Sequence, residues 1–175
     1  MDLFQVIQDR RSIRRYKDTP IEQEKIEKIL GAASMAPSWR NMQCWRFLVV
    51  REQAKRVKVL DAFPANNPGK NAIATAPVVI LACADTMESG VAHGISYYIA
   101  DTAIAFEHLC LTAHALGLGT CWMGSFDEEK IKQLFSIPDQ VRIVGITPLG
   151  YPDQQPNPRP RKGLSEIAFY DEWTF

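Results

Sequence analysis

The chain has 175 residues, 46% of them hydrophobic, and its twenty basic residues balance twenty acidic ones to a formal net charge of zero. That length suffices for one compact core, or for one subunit of an intimate dimer, so a single domain over 1–175 is expected. Charge balance leaves no net field to recruit nucleic acid or a membrane surface, and any basic patch must act locally.

At the start, Asp2 can cap a short helix with Leu3, Phe4, Val6 and Ile7 on its apolar side. An acid at position 2 and the lack of a continuous apolar run argue against a signal peptide. RRSIRR, Arg10 to Arg15, follows at the helix end and concentrates the basic charge. Arg10 and Arg14 are four apart and would share one side of a helical turn, with the Ser12 hydroxyl between them. A phosphate accepts several charge-assisted hydrogen bonds at once and suits such a set; a solvated basic turn is the plainer reading of the same residues. A nucleic-acid surface would interleave aromatics, which are confined here to Tyr16.

TPIE, Thr19 to Glu22, has the pattern of a capping box with proline at the first helical position. The helix it opens buries Ile26, Ile29, Leu30 and Ala33 and stops near Pro37. PSWRNMQCW, Pro37 to Trp45, sets Ser38, Asn41 and Gln43 just before a strand, where short polar side chains could bond a heteroaromatic edge and a polyol, or form an ordinary polar turn. WRFLVV (Trp45 to Val50) and PVVILAC (Pro77 to Cys83) read as central strands, with a helix over Glu52 to Leu60 and a loop at FPANNPGKN between them.

Ile95 to Leu116 is the most apolar helix and belongs in a core or a subunit interface. GLGTCWMG, Gly117 to Gly124, stops it and feeds a strand; its glycines at 117, 119 and 124 do not make a dinucleotide fingerprint. A short helix over Asp127 to Phe135 and a strand over Val141 to Gly150 complete an α+β arrangement with a mixed sheet. The proline-rich tail from Tyr151 holds Arg159 and Arg161, is hard to order alone, and is expected to pack on a partner subunit.

Cys44, Cys83, Cys110 and Cys121 lie far apart with no CxxC pair and read as buried or free thiols of a reducing cytoplasm. His93, His108 and His114 complete no metal set, and none is expected. The longest apolar run, Ala76 to Ala84, is too short to span a bilayer, so a cytoplasmic protein is expected. Without a GxSxG, HExxH or P-loop motif, the hard chemistry of an enzyme would sit on a cofactor.

Together these pieces resemble the FMN-dependent nitroreductase family. The likeness rests on RRSIR, TPIEQEKIEKILGAASMAPSWRNMQCWRFLVV, APVVILACAD, the D-x-x-IA helix from Asp101 into ALGLGTCWMG, PLGYP and PRPRKGLSEI, in the family's order and over nearly the whole chain. It implies a nitroreductase-like mixed sheet flanked by helices, and an interlocked homodimer with two FMN sites at the interface. The resemblance assigns Arg10, Ser12, Arg14 and Arg161 to the FMN phosphate, with Arg159 beside them and the Arg11 backbone next to the flavin. Ser38, Asn41 and Gln43 match a PSxxNxQ motif that reaches ribityl and ring atoms, partly from the opposite subunit. Trp122, Met123 and Gly124 match the segment lining the ring near N5. The implied activity is ping-pong transfer of hydride from NADH or NADPH through N5 to a nitroaromatic, quinone or similar acceptor.

Two departures stand out: Cys44 replaces the proline that usually follows the motif's glutamine, and Trp39 is bulky where relatives are often small. FPANNPGKN and the stretch from Met87 to Tyr98 are the candidates for a lid. The same residues would also serve a flavin sensor or store with little turnover, or a specialised relative performing reductive dehalogenation or flavin fragmentation.

Overall fold

In the computed structural model, residues 2–173 are described. Helix α1 (Leu3–Asp9) begins where the Asp2 carboxylate accepts the Gln5 N–H at 2.9 Å. Of its apolar side only Val6 is buried; Leu3, Phe4 and Ile7 face outward.

Helix α2 (Gln23–Ser34) starts later than the TPIE pattern suggests, with Glu22 at its cap and no side-chain capping bond. The Glu22 carboxylate is drawn instead to the Tyr151 hydroxyl (2.7 Å) and Lys25 (3.5 Å), leaving Thr19 and Pro20 in the extended approach.

The main sheet runs in the order β1 (Trp45–Val50), β2 (Val78–Asp85), β6 (Val141–Gly150), β5 (Gly119–Thr120), and these ladders are antiparallel. Its parallel part is the bridge between Ser12 and Thr120, which adds the arginine segment at the β5 edge. Strand β2 reads as a continuous apolar run because both its faces are covered. Val78, Ile80 and Ala82 pack toward α2 and α5 (Tyr97–Ala115) with Ile26, Ile29, Phe106 and Leu109. The alternate residues Val79, Leu81 and Cys83 pack with Val59 of α3 (Gln53–Val59), Ile73 of α4 (Lys70–Thr75) and Ile131 of α6 (Glu128–Phe135).

Helix α5 stops in a Schellman turn: Leu118 N–H reaches the Ala113 carbonyl, Gly117 N–H reaches His114, and Gly117 takes φ 77°. All four cysteines are free and buried.

Two segments differ from expectation. The last residues of FPANNPGKN start α4, too short a helix to announce itself beside two prolines and a glycine. A small hairpin, β3 (Val91–Ala92) and β4 (Ile95–Ser96), precedes α5, turning through His93 and Gly94 at φ 52° and 77°. No helix among the described residues is long and apolar enough to cross a membrane.

Candidate functional site

The arginine segment leaves α1 extended, so Arg10, Ser12 and Arg14 share a side by strand alternation and not by the helical spacing expected. Ile13 points the other way into the core, and its N–H donates to the Thr120 carbonyl at 2.8 Å. Tyr16 is buried beneath, with its hydroxyl on the Ile13 carbonyl at 2.6 Å.

The tail is brought back to this segment by its own backbone. Lys17 N–H bonds the Tyr151 carbonyl (2.9 Å), Asp153 N–H bonds the Arg15 carbonyl (3.0 Å), and Tyr16 bridges Pro152. The consequence is one cavity of about 220 Å³ lined by Arg10, Arg11, Ser12, Arg14, Arg159 and Arg161, with Pro156 and Asn157. Both basic motifs, from opposite ends of the chain, therefore meet.

Charge within the cavity is only partly answered. Arg10 pairs with Glu107 of α5 at 3.5 Å, and burial lifts the Glu107 carboxyl above its ordinary range while Arg10 and His108 oppose that rise. Arg11 donates to the Gln8 and Arg10 carbonyls at 2.6 and 3.0 Å. Among the described residues no carboxylate pairs with Arg14, Arg159 or Arg161. Several guanidinium groups converging on one small cavity repel one another unless an anion joins them, and the fixed fork of each suits phosphate oxygens.

Arg14 also lines a second cavity of about 200 Å³, with Asn67, Pro68, Gly69 and the stretch Cys121 to Ser125. Trp122 rests on Phe106 with centroids 5.1 Å apart, and Met123 is held by reciprocal backbone bonds with Ile146, each 2.9 Å. Burial raises the Cys121 thiol, against Arg14 and Ser12, so it stays protonated at neutral pH. Asn67, which sequence patterns did not single out, donates to the Ser125 carbonyl at 3.3 Å and accepts from Gly69 N–H at 2.8 Å. FPANNPGKN, one of the two lid candidates, thus forms a wall of this cavity.

Ser38, Asn41 and Gln43 lie elsewhere. Their loop enters β1 at Trp45, which pairs with Ala84 at the far end of β2, whereas Ser12 adjoins Thr120, level with Leu149 and Val78 at the near end. Val78 to Ala84 is roughly 20 Å along the strand, and the β1 and β5 edges are three strand spacings, about 14 Å, apart. Within one chain the loop and the arginine cavity occupy opposite corners of the sheet.

A larger cavity of about 740 Å³ adjoins the arginine cavity between the tail and α1, lined by Asp9, Arg11, His114 and Gln154 among others. Burial lowers His114, with Asp9 opposing, which favours the neutral imidazole there.

Comparison with known proteins adds the following. The model of the Nitroreductase family matches residues 7–151. A Methanothermobacter thermautotrophicus protein with the provisional name NADH dehydrogenase/NAD(P)H nitroreductase is 37% identical over 163 residues, covering 91% of this chain and 82% of its own length. A crystal structure of a nitroreductase family protein from Clostridium novyi superposes with TM-score 0.85 at 38% identity, covering 90% of each chain. An FMN-dependent nitroreductase from Clostridium difficile superposes at TM-score 0.85 and 28% identity, over 97% of this chain and all of the other.

Proposed function

The chain belongs to the nitroreductase family, and from that premise we propose that it is an FMN-dependent oxidoreductase carrying reducing equivalents from NADH or NADPH to a nitroaromatic, quinone or similar acceptor. The observation that carries this reading is the meeting of both basic motifs and Ser12 around one cavity, with three arginines that no carboxylate among the described residues offsets. A phosphate monoester of about −1.5 to −2 charge matches that donor set. The Clostridium difficile relative is itself named for FMN, which supports the same choice.

On this reading Arg10, Arg14, Arg161 and the Ser12 hydroxyl hold the phosphate, Arg159 adds charge beside them, and the Arg11 backbone borders the flavin. Trp122, Met123 and Gly124 wall the neighbouring space that Arg14 shares, and their fixed backbone gives a flat ring a firm seat. FMN bound there would supply the hydride chemistry in a ping-pong scheme, so the polypeptide needs no nucleophile or metal of its own.

Ser38, Asn41 and Gln43 complete the site from a second copy of the chain. Two observations support the homodimer: the opposite-corner placement of the loop, and the uncovered apolar side chains of Phe4 on α1 and Ile99 and Ile104 on α5. The tail beyond the arginines, with Leu164 and Ile167 exposed, would lie on that second copy as well.

Purified protein is expected to be yellow, to bleach anaerobically with NADH or NADPH, and to recover its colour on adding a nitroarene or quinone. Colourless protein that takes up no FMN would overturn the cofactor; stable yellow colour in the presence of both nicotinamides would overturn the reaction.

A further inference from the structure

Asp101 is a buried carboxylate, 4% exposed, in the body of α5, where it caps nothing in its own helix. One oxygen accepts the N–H of Trp39, 62 residues away, at 3.0 Å; the other is buried with no partner among the described residues. A carboxylate is costly in an apolar layer, and a hydrophobic residue of similar size would fill the place at less cost. Its one satisfied contact is therefore its reason for being there.

That contact grips the loop carrying Ser38, Asn41 and Gln43. Tyr97, one turn earlier on α5, stacks on the Trp39 ring (centroids 5.8 Å apart, planes 25° apart), and Thr102 touches the Cys44 thiol at 3.9 Å. Helix α5 thus fastens the loop at Trp39 and again at Cys44. Gly90 lies so close to the Trp39 ring that a Cβ there would overlap it, which closes the ring in from the hairpin side. Trp39 is the packing anchor of this loop.

Between the fastened ends the backbone is strained. Arg40, Asn41 and Gln43 all take left-handed φ, at 50°, 57° and 51°, a region disfavoured for residues with a Cβ. Such a shape persists when its surroundings over-determine it, and here Ser38 Oγ accepts Gln43 N–H at 3.0 Å while Gln43 Nε2 reaches Asn41 Oδ1 at 3.2 Å. These bonds hold the strained backbone with Asn41 and Gln43 exposed, so the loop is shaped before any ligand arrives.

We infer that Asp101 is a positioning residue that holds this loop ready, and that it serves the flavin site of the other subunit and not that of its own. This rests on the flavin reading above.

The test compares FMN retained per subunit in wild type, Asp101→Asn, Asp101→Leu, Tyr97→Leu and the double variant Arg10→Ala/Arg14→Ala. Circular dichroism of each apoprotein reads folding separately. Asp101→Leu is expected to weaken FMN about tenfold or more, whereas Asp101→Asn, which keeps an acceptor oxygen, stays within about threefold. Tyr97→Leu loosens the same loop without touching the buried carboxylate and should weaken FMN several-fold, so the inference can be tested even if Asp101→Leu does not fold.

Co-expressing differently tagged Asp101→Leu and Arg10→Ala/Arg14→Ala chains then assigns the site. A mixed dimer that regains one tight FMN, from sound arginines on one chain and a sound loop on the other, supports action across the interface. A mixed dimer without a tight site, or wild-type retention in both Asp101→Leu and Tyr97→Leu, overturns the inference while the flavin reading stands. Wild type that binds no FMN defeats the flavin reading itself, and the inference with it.

Discussion

Arg14 is the side chain that touches both small cavities, the basic one and the one walled by Trp122 and Met123. Replacing it, or Arg161, with alanine is expected to weaken FMN binding by about 1–3 kcal/mol, read by equilibrium dialysis of the flavin. The sequence drew attention to Arg14 and its neighbours because six consecutive positions carry four guanidinium groups, and the fold brings them with Arg161 around one cavity. The geometric reason was not legible there: the segment is extended, and alternation rather than a helical turn aligns Arg10, Ser12 and Arg14. Asp101 entered the sequence reading only as part of the D-x-x-IA pattern and Asn67 only as part of FPANNPGKN, with no role of their own, since a lone polar residue acquires meaning only from what the fold sets beside it.

At the level of elements, α6 is tied to β6 by Glu128, which accepts the Arg142 guanidinium at 3.0 and 3.1 Å and the Ile143 N–H at 2.8 Å. Burial pushes the Glu128 carboxyl upward, but the bonds from Arg142 and Ile143 outweigh it and the net shift is below the ordinary 4.5. A carboxyl lowered in the folded state adds stability that is present above pH 4.5 and is lost as pH falls through the folded value. Glu128→Gln should therefore cost about 1–2 kcal/mol at neutral pH and flatten the acid limb of an unfolding curve followed by circular dichroism. Strands β1 and β2 were legible because burial on both faces of β2 writes an unbroken apolar run. The capping box misled because Glu22 finds Tyr151 and Lys25, partners that only the folded tail and helix supply. Strands of two residues, as in β3 and β4, carry too few positions for a period to show.

For the whole molecule, the apolar side of α1 and the outward residues of α5 are unburied in a single chain: Phe4 is 82% exposed and Ile104 40%. On the dimeric reading, Phe4→Asp or Ile104→Asp should yield monomers by sedimentation equilibrium and lose flavin in the same step, because the cofactor loop and the arginines of one chain never meet. A monomer that keeps its FMN would place the whole site in one subunit.

The central claim, that guanidinium groups from the two ends of the chain share one FMN phosphate, is tested most directly by flavin content after gel filtration. Wild type should emerge yellow with one FMN per subunit, and Arg14→Ala/Arg161→Ala should emerge colourless with an unchanged circular dichroism spectrum. Equal flavin in the two proteins would contradict the account.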